Sequence, residues 1–163
     1  MKNTLIAFLL LWSAQSYAQI KSATLTASGL TCSMCSKSIY KSVTRLPFVK
    51  DVVADVEKSS FEITFNQGSN ISLDDVKKAV QDAGFSVASL TAVVTFNNAQ
   101  VQDDAVITAG MATFRFINVA KQTISGDKTI KVIDKNFLPL KEYKKYGGHK
   151  DDNASKRIYH VTL

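Results

Sequence analysis

Hydrophobic positions along this chain change period several times, and each change marks an element. Ile20 to Ala27 alternates loosely around Leu25, with threonines between, and predicts a strand that Ser28-Gly29 ends. Cys35, Ile39, Val43 and Leu46 then recur on one face of a helix that starts near Ser33. Pro47 must stop it, because proline lacks an amide proton and collides with the preceding turn. Val49, Val52, Val53 and Val56 predict a second strand, and Phe61, Ile63 and Phe65 alternate as a third, with a turn at Lys58-Ser59-Ser60. After a polar loop over 66–70, Ser72 is a good N-cap with Asp75 three residues on. Leu73, Val76, Val80 and Ala83 form the buried face of a second helix, which Gly84 is placed to end in a left-handed conformation. Phe85 to Leu90 is a further strand. The order strand, helix, strand, strand, helix, strand is the split βαβ arrangement of a ferredoxin-like fold, with both helices on one face of a four-stranded sheet.

The second half is written differently. Val93–Phe96, Ala105–Thr108, Ala112–Val119, Lys128–Asp134 and Arg157–Leu163 predict strands. Asn97-Asn98, Ser125-Gly126-Asp127 and Gly147-Gly148 predict turns between them, and Lys141–Tyr146 a short helix. Phe114 and Phe116 share one face of their strand. The class expected for the whole chain is α+β: a ferredoxin-like βαββαβ domain over 19–90, followed by a small antiparallel β domain, a barrel or sandwich, over 91–163. No flexible linker separates the halves at Leu90–Thr91, so they are expected to pack tightly or share a sheet edge.

The first residues stand apart. Lys2 precedes an apolar run from Leu5 to Trp12, and Ser16-Tyr17-Ala18 offers small residues before a cut after Ala18. That is the layout of a secretory signal peptide over 1–18, and the run is too short to span a bilayer. The expectation is a soluble periplasmic or secreted protein with no stable membrane insertion after cleavage. Removing Lys2 lowers the net charge from +6 to +5. The basic residues are scattered rather than clustered with aromatics, which is not the footprint of a nucleic-acid-binding protein. No histidine, serine or carboxylate constellation suggests hydrolysis, and no glycine loop suggests phosphate binding. The expectation is a binding protein, not an enzyme.

Chemistry concentrates at Cys32 and Cys35, the 2 cysteines of the chain. They cannot belong to a larger disulfide framework, although an oxidising compartment can close them on each other. Thiolates are soft ligands that favour Cu(I), zinc and related ions over magnesium or calcium. Cys35 falls in the first turn of the predicted helix, where free amide groups and the helix dipole lower a thiol's pKa and ease metal binding. Zinc prefers four ligands. Only His149 and His160 could join the pair, and with Met111 they form no ligand spacing; packed or surface roles suit them better. The same Cys-x-x-Cys at a helix start also serves thiol–disulfide oxidoreductases.

Gly29-Leu30-Thr31-Cys32-Ser33-Met34-Cys35 resembles the Gly-Met-Thr-Cys-x-x-Cys loop of heavy-metal-associated domains, which include copper chaperones, N-terminal domains of copper-transporting ATPases and periplasmic mercury-binding proteins. The likeness continues through Ile39, Leu46-Pro47, the valine strand and Asp82-Ala83-Gly84-Phe85. Two positions depart from it. Leu30 replaces a methionine that packs inward in the family, and Phe85 stands where copper chaperones often carry Tyr or Lys. The resemblance implies two-thiolate, near-linear binding of Cu(I), or alternatively Hg(II), by Cys32 and Cys35. It also implies transfer to a metal transporter or an apo-metalloprotein. Thioredoxin-like proteins place a tryptophan before the motif and a cis-proline facing it; Trp12 and Pro47 supply neither.

Overall fold

The structure is a computed structural model and describes residues 19–30, 33–147 and 157–163. The expected leader over 1–18, Cys32 and His149 lie outside the described residues. The elements are β1 (Ile20–Ser28), α1 (Ser33–Val43), β2 (Val49–Asp55), β3 (Ser60–Phe65), α2 (Leu73–Asp82), β4 (Ser86–Val101), β5 (Val106–Ala109), β6 (Ala112–Phe116), β7 (Gln122–Val132), α3 (Leu140–Lys145) and β8 (Ile158–Thr162). The α+β class and the ferredoxin-like order from β1 to β4 are both present.

Most of the faces read from the sequence are present, although Val56 falls beyond β2 and is exposed and Ala83 is the half-buried cap just past α2. Phe61, Ile63 and Phe65 are buried on β3, and Val52 is buried on β2 while Val53 faces out. On α2 the buried positions are Leu73, Val76, Ala79 and Val80. Ser72 accepts the Asp75 amide as N-cap at 3.1 Å, and Gly84 has φ +89° just past the helix end. Helix α1 ends at Val43, earlier than Pro47 alone requires. The residue before a proline is pushed out of the helical region, so Leu46 cannot extend the helix. The chain instead closes with a tighter turn in which the Leu46 amide donates to Val43 O at 3.1 Å.

All strands among the described residues lie in one 8-stranded sheet ordered β2-β3-β1-β4-β7-β8-β6-β5. The hinge of this arrangement is β4. Its first part pairs with β1, from Ser28↔Ser86 to Ile20↔Val94. From Thr91 onward its other edge pairs with β7, from Thr91↔Lys131 to Val101↔Gln122. A single strand therefore runs through the position expected to divide the halves. Two predicted turns are instead irregularities inside long strands. Phe96 pairs with Gly126 and Ala99 with Ile124, so Asn97-Asn98 carries one residue more than the facing Ser125. That is a bulge, which bends a strand without ending it; Asn98 takes φ +45° and Gly126 φ +72° there.

Among the described strands one pair, β6 with β8, is parallel, and the rest are antiparallel. The chain reaches β8 through β7 and α3, a connection long enough to reset its direction. Strand β5 packs back against β4, and the Phe96 and Phe116 rings meet with centroids 6.0 Å apart. The strands from β4 to β8 thus curl around their own core of Phe96, Phe114, Phe116, Ile130, Phe137 and Val161. That core is continuous with the residues packed beneath α1 and α2.

Candidate metal centre

The cysteine motif lies at the end of the sheet where β1 finishes and β4 begins. Ser28 pairs with Ser86 there, and the Ser28 hydroxyl donates to Ser86 O at 3.3 Å. Gly29 follows with φ +82°, a left-handed turn that glycine makes without strain. Leu30 and Phe85, the two departures from the family pattern, are partly buried against the core. Leucine thus does the packing expected of methionine at that position.

Cys35 sits half-buried in the first turn of α1, with Ser36, Ile39 and Val43 buried below it. The first turn holds no acidic residue, so the free amides and the positive end of the helix favour a thiolate without opposition from a carboxylate. Met34 is 69% exposed and Tyr40 39%, and Lys37 and Lys41 are exposed on the same helix. Cys35 is disulfide-bonded in this structure. In that state the sulfur is not a thiolate and cannot ligate a metal until the bond is reduced.

Strand β7 does not pair with the part of β4 nearest this end. Strand β7 meets β4 from Thr91 on, five residues after Ser86, a distance of roughly 17 Å along the strand. Among the described residues no group of three or more His, Cys, Asp or Glu gathers to hold a metal, and no helix is long and apolar enough to cross a membrane.

The histidine in the described second half has a different task. His160 is 2% exposed, with Nδ1 2.7 Å from Asp134 Oδ1. Asp134 Oδ2 accepts from the His160 amide at 3.2 Å and from Arg157 at 2.8 Å. Arg157 Nε donates to Asp74 Oδ2 at 2.7 Å, and its guanidinium lies 4.4 Å from the centroid of the Tyr159 ring. The Tyr159 hydroxyl accepts the amides of Leu73 and Asp74 at 3.1 and 3.4 Å. Burial and the nearby Asp74 charge push the Tyr159 phenol up to about 12. Burial pushes Asp74 up, but bonds from Arg157 and Lys77 outweigh it and hold the carboxyl below its usual range. Sequence reading missed this cluster, since no short spacing relates Asp74, Asp134 and Arg157. Met111, by contrast, is 56% exposed at the tip between β5 and β6.

Residues 24–86 match the family described as heavy-metal-associated domain. A stretch of 69 residues is 32% identical to the probable copper-transporting ATPase HMA5 of Arabidopsis thaliana, covering 42% of this chain and 7% of the ATPase. Oxidized MerP from Ralstonia metallidurans CH34 is 30% identical, with a TM-score of 0.38, covering 42% of this chain and 97% of that one. The CopZ metallochaperone is 18% identical, with a TM-score of 0.38, covering 41% of this chain and 98% of that one. The chain thus contains a heavy-metal-associated domain at residues 24–86, and such a domain points to heavy-metal binding.

Proposed function

We propose that the heavy-metal-associated domain of this chain carries a soft metal ion, Cu(I), between Cys32 and Cys35 and passes it on by thiolate exchange. The observation that carries this reading is Cys35 in the first turn of α1, half-buried, at the end of the sheet where β4 begins, before its pairing with β7. Two thiolates at a helix start match the softness of Cu(I) and the low coordination number it accepts. Exposed Met34 and Tyr40 beside Lys37 and Lys41 give a recipient a surface to approach. The recipient would be a metal transporter or an apo-metalloprotein whose own thiolates displace the cargo one sulfur at a time. Hg(II) fits the same two ligands. The leader-like layout of residues 1–18 supports a periplasmic or secreted location. The additional strands would then act as a docking module, not as a catalytic domain.

The disulfide at Cys35 supports a second reading, thiol–disulfide exchange with the same pair. It also sets a condition on the first, since a dithiol or equivalent reductant must deliver two electrons and two protons before metal can bind.

The test is an anaerobic Cu(I) titration of the reduced chain without residues 1–18, against a competing chelator, beside Cys32→Ser and Cys35→Ser. One tightly held ion per chain, lost in both variants, is the expected result. Binding that survives loss of the cysteines would remove copper from this motif. Hg(II) titration and exchange with a model disulfide would then separate the two remaining readings.

A further inference from the structure

We propose that β8 is a lock on α2, and that it makes the metal-binding domain and the additional strands open as one unit, so that cargo held at the cysteines is registered in β8. The second clause rests on the proposed function; the first does not.

The lock is built from both halves. The first turn of a helix has amide groups without intrahelical partners, which need acceptors from elsewhere. In α2, Ser72 caps Asp75 from within the domain, but the amides of Leu73 and Asp74 go to the Tyr159 hydroxyl on β8. Tyr159 is held in turn by Phe114 and Phe137, with ring centroids 6.1 and 6.4 Å away. Arg157 joins Asp74 on α2 to Asp134 after β7, and Lys77 of α2 lies over the Phe137 ring at 4.5 Å. Separating β8 from α2 would therefore leave two helix amides without their present acceptor and take Arg157 from the Asp74 carboxylate, which keeps Lys77 alone. It would also open a core continuous across both halves.

The far end of α2 reaches the metal centre. Ten residues of helix span about 15 Å and pass through Gly84 and Phe85 into Ser86, the residue bonded to Ser28 just before the cysteine motif. Strand β4 makes a second rigid link, paired with β1 on one edge and β7 on the other. A ligand that binds only the folded state stabilises every element that opens with it. If α1 and β8 open together, cargo on α1 must slow the opening of β8.

Native-state amide hydrogen exchange on the reduced chain without residues 1–18 tests this, with and without one equivalent of Cu(I) held by the chelator. In the metal-free protein, the slowest amides of α1, β1, β7 and β8 are expected to converge on one exchange rate as denaturant is added. Tyr159→Phe keeps the ring packing and removes the acceptor. It is expected to speed exchange at Leu73 and Asp74 by about tenfold and to lower the shared unfolding midpoint of both halves. Loading is expected to slow α1 and β8 by the same factor. Separate opening of β7 and β8 from α1, or unchanged Leu73 and Asp74 exchange in Tyr159→Phe, would overturn the lock. Slowing in α1 without slowing in β8 would overturn its link to the cargo. Failure to bind Cu(I) at all would count against the cargo reading, and the metal-free arm would still decide the lock.

Discussion

Asp134 and Tyr159 are both buried polar residues held by several partners. Asp134 is 3% exposed and receives bonds from His160 and Arg157. Removing a buried carboxylate leaves its charged and polar partners without compensation, which typically costs about 3–5 kcal/mol. Asp134→Ala is expected to lose stability on that scale in chemical denaturation. Tyr159 carries a pH signature. Its phenol is pushed up to about 12 in the folded chain against about 10 when unfolded. Folding thus favours the protonated form, and this contribution is intact below about pH 10 and lost as pH climbs toward about 12. The urea midpoint of the wild type should fall more steeply over that window than that of Tyr159→Phe; equal slopes would remove Tyr159 as the cause.

At the scale of elements, caps and bulges decide where segments begin, bend and stop. Ser72→Ala removes the acceptor for the Asp75 amide and should cost about 1 kcal/mol. Gly84→Ala forces a side chain into φ +89° and should cost about 1 kcal/mol. Thermal unfolding of the two variants checks both values, and additivity in the double variant would confirm that the two ends of α2 act independently. These features were legible from sequence because each rests on a residue's own backbone chemistry. The extent of β4 was not. Asn97-Asn98 has the composition of a turn, and only its pairing opposite Ser125 makes it a bulge in a continuing strand.

Across the whole molecule, the two halves are tied by charge as well as by the shared strand. Asp74 pairs with Arg157, and Asp127 on β7 pairs with Lys21 on β1. Both carboxyls are held below their usual range: Asp74 by Arg157 and Lys77 against the opposing effect of burial, Asp127 by its bonds from Lys21 and Thr95. In the unfolded chain each takes up a proton near pH 4, about its ordinary value. Stability contributed by these pairs is therefore present above about pH 4 and is lost as pH falls through the folded values. The urea midpoint should drop over that window. Arg157→Gln should flatten the drop, because Asp74 then loses its strongest partner; an unchanged slope would assign the acid sensitivity elsewhere.

The sequence by itself determined the ferredoxin-like order, the faces of its strands and helices, and the cysteine motif at the start of α1. Each depends on neighbours within a few turns or a few residues, so the pattern of apolar positions is enough to read it. Only the tertiary structure decided that the second half continues the first half's sheet, that β8 runs parallel to β6, and that Tyr159, Arg157, Asp134 and His160 close around the start of α2. Those outcomes depend on which strand edge finds which partner far along the chain, and on contacts such as that of Tyr159 with Leu73, 86 positions apart. Backbone edges carry the same donors and acceptors whatever their side chains, so the choice is made by the packing of the whole core.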